Sequence, residues 1–153
     1  MTETLSHALL KAFYKAYANG DGAKAAPYLA DDVEWCISGP VDVLSYCGTR
    51  RGKAAVVDLI ERGIPSVFRI TSFIPESMLV DGDRAATLIR LSGRCPDGRI
   101  ISYRLAHFTR FRDGKIAHNL SIIESFNAAE QVLGHALTAH DDTRAHYGDL
   151  IAV

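Results

Sequence analysis

Nowhere in these 153 residues do about twenty apolar positions follow one another, the length that a membrane-spanning helix requires. The opening stretch, "MTETLSHALLKAFYKAYANG", holds neither a basic leader nor a continuous apolar run, so a soluble, cytoplasmic protein with no membrane partner is expected. A charge imbalance is missing too. Lys and Arg number 17 against 18 Asp and Glu, a formal net charge of -1, without the basic footprint that nucleic-acid binding demands. Cysteine is scarce: Cys36, Cys47 and Cys95 are odd in number and lack CxxC spacing, which argues against a disulfide framework or zinc site and suits buried free thiols in a reducing compartment. "SGP" and "GTRRG" lack the glycine spacing and Lys-Ser/Thr ending of a phosphate loop. His135, His140 and His146, with Asp141 and Asp142, match no compact ligand spacing. The reading therefore calls for no cofactor and no metal.

What is present is an ordinary globular balance, 48% hydrophobic and 23% charged, in a chain long enough for one domain with one core. Leu9, Leu10, Phe13, Tyr14 and Tyr17 recur at three- and four-residue steps and predict a helix from about Thr4 to Asn19, stopped by "NG". "DGAKAAPYLADD" predicts a short helix limited or kinked by Pro27. In "DVEWCIS", Val33, Trp35 and Ile37 alternate with Glu34, Cys36 and Ser38, a strand with one apolar face. "GPVDVLSYCGTRRG" reads as a loop by its Gly and Pro content, and "KAAVVDLIERG" as a helix ended by Gly63 and Pro65.

From Val67 the period changes to two, and the turn signals "VDGDR", "CPDGR" and "FRDGK" divide the segment into four antiparallel strands. "ESFNAAEQVLG" returns to helix with Gly134 as its stop, giving a domain over 1–134 and an amphipathic tail, 135–153, able to form another short helix. Long strands in so short a chain imply an α+β fold: one strongly curved, mainly antiparallel sheet, with three helices on its concave side enclosing a pocket.

The last hairpin, "LAHFTRFRDGKIAHNLSII", carries the polar groups of interest. A three-residue "RDG" loop pairs Phe111 with Lys115, Thr109 with Ala117, His107 with Asn119 and Leu105 with Ser121; a two-residue Asp-Gly turn shifts the register by one and separates His107 from Asn119. The first is preferred because it gathers Arg110, Arg112, His118 and Glu124 on the opposite face. The inner face then mixes apolar side chains with a few hydrogen-bonding groups, the composition of a ligand pocket. His107 is the candidate acid/base, its ordinary pKa of about 6.5 serving either role near neutrality. Asp31 and Asp32 read as a loop pair facing water, and Arg90 and Arg104 as strand arginines on a solvated face. Leu120 and Ile122 point away from the pocket, an exposed apolar pair that needs covering, by a second copy in a homodimer or by the tail after Gly134.

The run "YLADDVEW", then "SGP", "YCGTRRGKAAV" and "RLAHFTRFRDGKIAHNLSIIESFNAAEQVLG" resembles the SnoaL-like branch of the nuclear transport factor 2-like superfamily, over most of residues 5 to 134. That superfamily also holds ketosteroid isomerases and limonene epoxide hydrolases. The resemblance implies a cone-shaped fold, commonly homodimeric, with a pocket for a small hydrophobic molecule, and members that include isomerases, cyclases, hydrolases and proteins with no catalysis. In SnoaL-like cyclases a pocket carboxylate on the last strands serves as acid/base, and the segment matching "LSIIES" in many relatives reads like "REFxDS". Here Leu120 and Ser121 stand where that pattern has Arg and Glu. The base must then be His107, unless Glu34 or Asp42 reaches the pocket. A tyrosine from the first helix often enters the cavity in relatives, which makes Tyr14 the candidate donor to a ligand carbonyl. Trp35, Tyr46, Tyr103, Asn119 and Ser121 are the expected ligand-lining residues. Two classes of function follow: a cofactor-independent enzyme acting on a hydrophobic carbonyl-containing metabolite, or a non-catalytic ligand-binding or dimerisation domain.

Overall fold

The computed structural model describes residues 5–138. Helix α1, Leu5–Ala18, buries Leu10, Phe13, Tyr14 and Tyr17, the face that the helical spacing marks as apolar. Asp21 caps the single turn α2, Gly22–Ala25, by accepting from the Lys24 amide at 3.0 Å. Pro27 lies in the 3-10 turn Ala26–Tyr28, which delivers the chain into β1, Leu29–Ser38. This strand starts at Leu29 rather than Asp32: a register shift between Leu29 and Glu34 breaks the alternation that would have disclosed its first residues. A four-residue strand, β2, Gly48–Arg51, lies within the segment expected to be loop and pairs antiparallel with β1. Helix α3, Lys53–Asp58, continues into one π-helical turn, Leu59–Gly63.

Four long strands follow: β3, Arg69–Asp81; β4, Arg84–Arg94; β5, Ile100–Arg112; and β6, Lys115–Ile123. Helix α4, Ser125–Leu133, ends at Gly134 in the left-handed conformation, φ 81°. The six strands form one curved sheet in the order β2-β1-β6-β5-β4-β3, antiparallel throughout except where β1 lies parallel to β6. The architecture is the expected α+β cone, with four helices, α2 being a single turn. Irregularities on β3 at Ile70/Ser72 and Pro75/Ser77 bend the sheet edge. Curvature also presses Phe68 onto β4: a Cβ at Gly93 would lie 2.4 Å from the Phe68 ring and 2.9 Å from the Arg69 carbonyl oxygen.

β5 outruns β6, and α4 supplies the missing partner. The Gln131 side-chain amide accepts from the Ser102 backbone amide at 2.6 Å and donates to the Ser102 carbonyl at 2.7 Å, while Glu124 accepts from the Arg104 amide at 2.9 Å. Backbone groups that would otherwise be open to a stray strand are thereby occupied.

The hairpin register differs from the preferred one. Asp113 (φ 52°) and Gly114 (φ 69°) form a two-residue turn closing Arg112 against Lys115, as the primed turn types of tight hairpins require. One step later the register shifts: Phe111 pairs with Ile116 and Arg110 with His118, leaving Ala117 as an extra residue on β6. That bulge restores the facing that the turn would have reversed. His107, Asn119 and Ser121 all point inward, but the pairs are Thr109 with Asn119 and His107 with Ser121. On the outer face, Leu79, Leu88, Phe108 and Ile122 are exposed and Leu120 is half-buried opposite Phe108. Of the tail, His140 and His146 lie outside the described residues, as does the short helix foreseen for it; no described helix is long and apolar enough to cross a membrane.

Candidate functional site

Strands β4, β5 and β6 aim five polar side chains into the cone: Thr87, His107, Thr109, Asn119 and Ser121, each at most 5% exposed. Two cross-strand rows hold them. Thr87, His107 and Ser121 lie side by side in one, Thr109 and Asn119 in the next, where Trp35 of β1 extends the row beyond Asn119. Four of the five are satisfied by short side-chain bonds. Thr109 donates its hydroxyl to Asn119 Oδ1 at 2.9 Å, Asn119 Nδ2 donates to Ser121 Oγ at 2.9 Å, and the Tyr14 phenol donates to Thr87 Oγ1 at 3.1 Å.

His107 is the exception. It is 1% exposed, and neither Nδ1 nor Nε2 has a hydrogen-bond partner. Asn119, the partner of His107 in the expected register, does not reach it: the tight turn and the bulge together place Asn119 opposite Thr109, and Thr109 and Ser121 use its amide instead. Around the imidazole stand the rings of Tyr14 at 5.5 Å, Trp35 at 5.6 Å, and Tyr17 and Phe73 at 6.2 Å. In that apolar box burial pushes the His107 pKa down to about 3, so the ring is neutral at pH 7 and carries one N–H donor and one bare nitrogen. Trp35 Nε1 is also buried without a partner. Burial raises the Tyr14 phenol to about 12, opposed by its bonds to Thr87 and Thr109, so it too remains protonated.

All seven residues singled out in the sequence, Tyr14, Trp35, Tyr46, Tyr103, His107, Asn119 and Ser121, are buried on the inside. Tyr46 and Tyr103 join their hydroxyls at 3.0 Å. With Ser121 and His107 they line a cavity of about 10 Å³, the room of a single water. The expected metabolite-sized cavity bordered by both Tyr14 and His107 is therefore not open among the described residues: the rings of Tyr17, Phe68 and Phe73 fill the cone. Tyr14 instead lines a cleft of about 660 Å³ between α1 and β3, and its ring and that of Phe73 separate this cleft from the imidazole. A third cavity, about 280 Å³, meets the interior one at Tyr17, Ile64 and Phe68, beside the π-helical turn.

Neither alternative base reaches the interior. Glu34 faces outward to Arg51 at 3.0 Å and His118 at 3.7 Å, and Asp42 is exposed in the loop. Arg90 and Arg104 both bind Glu76 on the outer face, and Asp31 and Asp32 pair at the surface with Lys53 and Arg112. Thr87 and Phe73 were not among the residues singled out in the sequence, and Tyr17 stood there only as part of the buried face of α1. Counting by twos from the "DG" turn at 82 puts Ala85, Thr87, Ile89 and Leu91 on one face, and that alternation alone would have found Thr87. No cluster of metal-binding side chains occurs among the described residues.

No curated protein matches the chain in sequence. Among solved structures, a proposed isomerase from Rhodopseudomonas palustris is 32% identical, with 88% of this chain and all of that one covered and a TM-score of 0.76. TerC, crystallised with polyporic acid, shares 20% identity over 85% of this chain and 99% of its own, with a TM-score of 0.75. An LEH-like epoxide hydrolase from M. tuberculosis shares 15% identity over 85% of this chain and 90% of its own, with a TM-score of 0.69; these last two likenesses bear on fold alone. The model of the SnoaL-like domain matches residues 10–119, spanning α1 to the middle of β6 and including the aromatic box of His107. By that match, the chain belongs to the SnoaL-like domain family.

Proposed function

We propose that the interior of the cone binds a small, mostly apolar molecule bearing a carbonyl or similar oxygen, and that neutral His107 orients it. The observation that carries this reading is the pair of unpartnered imidazole nitrogens, joined by the unpartnered indole N–H of Trp35. Each buried polar group without a partner costs about 1–3 kcal/mol, an expense that packing alone gives no reason to keep. A ligand oxygen would accept from the His107 N–H or from Trp35 Nε1, and a ligand hydroxyl would donate to the bare nitrogen. Apolar surface around a few orienting polar groups is what such sites consist of. Entry requires rings to swing, either Tyr14 and Phe73 on the cleft side or Tyr17 and Phe68 on the other.

Binding is favoured over proton abstraction. No carboxylate is among the buried side chains described, and an imidazole held at about 3 is a weak base at pH 7, far from the match to working pH that general bases need. Isomerase, cyclase or hydrolase chemistry is the second reading, favoured by the 32% identity to a proposed isomerase. In that case His107 and Tyr14 act as neutral hydrogen-bond donors that polarise a carbonyl, with no cofactor.

Trp35 is the sole tryptophan and stands 5.6 Å from His107, so its emission reports on the site. Titration with neutral ketones of graded size, each beside the corresponding hydrocarbon, tests the proposal. Ketones are expected to shift Trp35 emission saturably and to bind about tenfold more weakly to His107→Leu, a change the hydrocarbons do not show. Equal binding of ketone and hydrocarbon to the unaltered protein, or no binding of either, overturns it.

A further inference from the structure

The interior holds a second polar group besides His107. Tyr46 and Tyr103 bring their hydroxyls to 3.0 Å, and both side chains are buried. Hydroxyls bonded to each other spend one proton on that bond and keep the other, and neither phenol makes a further hydrogen bond among the described residues. Burial holds both phenols above the ordinary tyrosine pKa, so both stay protonated at pH 7 and the remaining O–H is a donor without an acceptor. The phenol pair stands apart from the imidazole. Its neighbouring ring is Phe68, 5.5 Å from Tyr46 and 6.2 Å from Tyr103 between centroids, whereas the rings around His107 are those of Tyr14, Tyr17, Trp35 and Phe73. On β5, Tyr103 and His107 both face inward with Leu105 between them, about 13 Å apart along the strand. Yet pair and imidazole line the same small cavity. The interior therefore offers a donor at each end and an apolar middle.

We propose, resting on the reading of the interior as a site for a carbonyl compound, that its guest is a dione: one carbonyl oxygen accepts from His107 and the other from the Tyr46–Tyr103 hydroxyl pair. A guest with a single oxygen would satisfy one end and leave the other donor buried and unpaired, at the cost that any such group carries. A site built to hydrogen-bond a particular group discriminates against the analogue that lacks it, far more sharply than an apolar wall discriminates by size. The two ends thus select for the number and spacing of oxygens, while Leu105 and the rings between them ask only for an apolar body. Ser121 lies within the same lining, its hydroxyl oxygen accepting from Asn119 and its proton free of any acceptor among the described residues, so it can adjust to the guest near the His107 end.

The test uses the full chain and two diones of different length, cyclohexane-1,4-dione and 4,4′-bicyclohexanone, each beside the ketone lacking its second oxygen, cyclohexanone and 4-cyclohexylcyclohexanone, titrated by Trp35 emission. At least one dione is expected to bind about 5- to 10-fold more tightly than its monoketone. In the double variant Tyr46→Phe with Tyr103→Phe that advantage is expected to vanish, while the monoketone keeps its affinity to within about twofold. Exchanging both members of a hydrogen-bonded pair for apolar groups of the same shape leaves folding nearly unchanged. A second readout needs no variant: in the infrared spectrum of the bound, carbon-13-labelled dione, both carbonyl bands should lie below that of the ketone in an apolar solvent. One band left at the unbonded position, equal affinity of each dione and its monoketone, or an advantage that survives in the double variant overturns the proposal, and monoketone binding through His107 then still stands. Binding of none of the four, or monoketone affinity unchanged in His107→Leu, overturns the carbonyl site itself and the dione with it.

Discussion

Replacing His107 with leucine should make the protein more stable, and more so in acid. At pH 7.5 the variant exchanges two unpartnered nitrogens, each costing about 1–3 kcal/mol, for an apolar side chain of similar volume inside a box of rings. Part of that gain is lost to imperfect packing, so about 1–2 kcal/mol is expected, a rise in Tm of about 2–8 °C for a chain of this length. The acid arm follows from linkage. Folded His107 has its pKa depressed to about 3, against about 6.5 unfolded, so between these values the unfolded state holds a proton that the native state lacks. Stability therefore falls as pH drops from about 6.5 toward 3, and by roughly 3 kcal/mol at pH 4.5. Asp31, Glu76 and Asp97 are held low by their Lys and Arg partners, so their contributions fade as pH falls through the ordinary carboxylate range near 4; they are common to both proteins and cancel when the two are compared. Urea unfolding at pH 7.5 and 4.5 measures both arms. His107→Leu should unfold later at pH 7.5 and lose the slope attributable to the imidazole. A loss of unfolding free energy of more than about 1 kcal/mol at pH 7.5, or parallel pH dependence in the two proteins, would refute the reasoning.

Three further outcomes are expected. Asn119→Ala removes the acceptor of Thr109 and the donor to Ser121 in a fully buried position and should cost about 2–4 kcal/mol by urea unfolding; a cost below 1 kcal/mol would mean that the bonds contribute little. Gly93→Ala drives a methyl into Phe68 and the Arg69 carbonyl and should destabilise by about 1–3 kcal/mol, whereas an unchanged Tm would show that β3 yields freely. We propose that a second copy covers the outer row of Leu79, Leu88, Phe108, Leu120 and Ile122; sedimentation should then give a dimer for the unaltered protein and a monomer for Phe108→Glu, and a monomer for both at high micromolar concentration rejects it.

The parts of the fold legible in the sequence were those with strong local signals. Asp-Gly turns at 82, 98 and 114 delimited β3 to β6, and the 3.6-residue spacing of Leu10, Phe13, Tyr14 and Tyr17 marked the buried face of α1. β2 was hidden because four residues beside glycines offer too short an alternation to count. The inner face of the last hairpin was legible, its pairing was not: two one-residue irregularities, the tight turn and the bulge at Ala117, cancel in facing and leave a shift of one pair. Which side chain bonds to which depends on that shift, and so the isolation of His107 could not be read from the chain. The filling of the cone has the same origin, since Phe73 and Phe68 reach the centre from strand and loop positions that periodicity does not rank.

The parallel seam between β1 and β6 also governs how the molecule comes together in time. Leu29 and Ile116 are partners 87 residues apart in sequence, while each neighbouring pair among β3 to β6 closes through a short turn. The meander therefore assembles from local contacts, and the β1–β2 pair must wait for β6, near the end of the described chain, before it has an edge to join. Trp35 meets Asn119 only at that last event. During synthesis the N-terminal third emerges without its partner strand and leaves an apolar β1 uncovered until β6 is made, so the aromatic box around His107 is among the last features to form and the first to open when the seam fails.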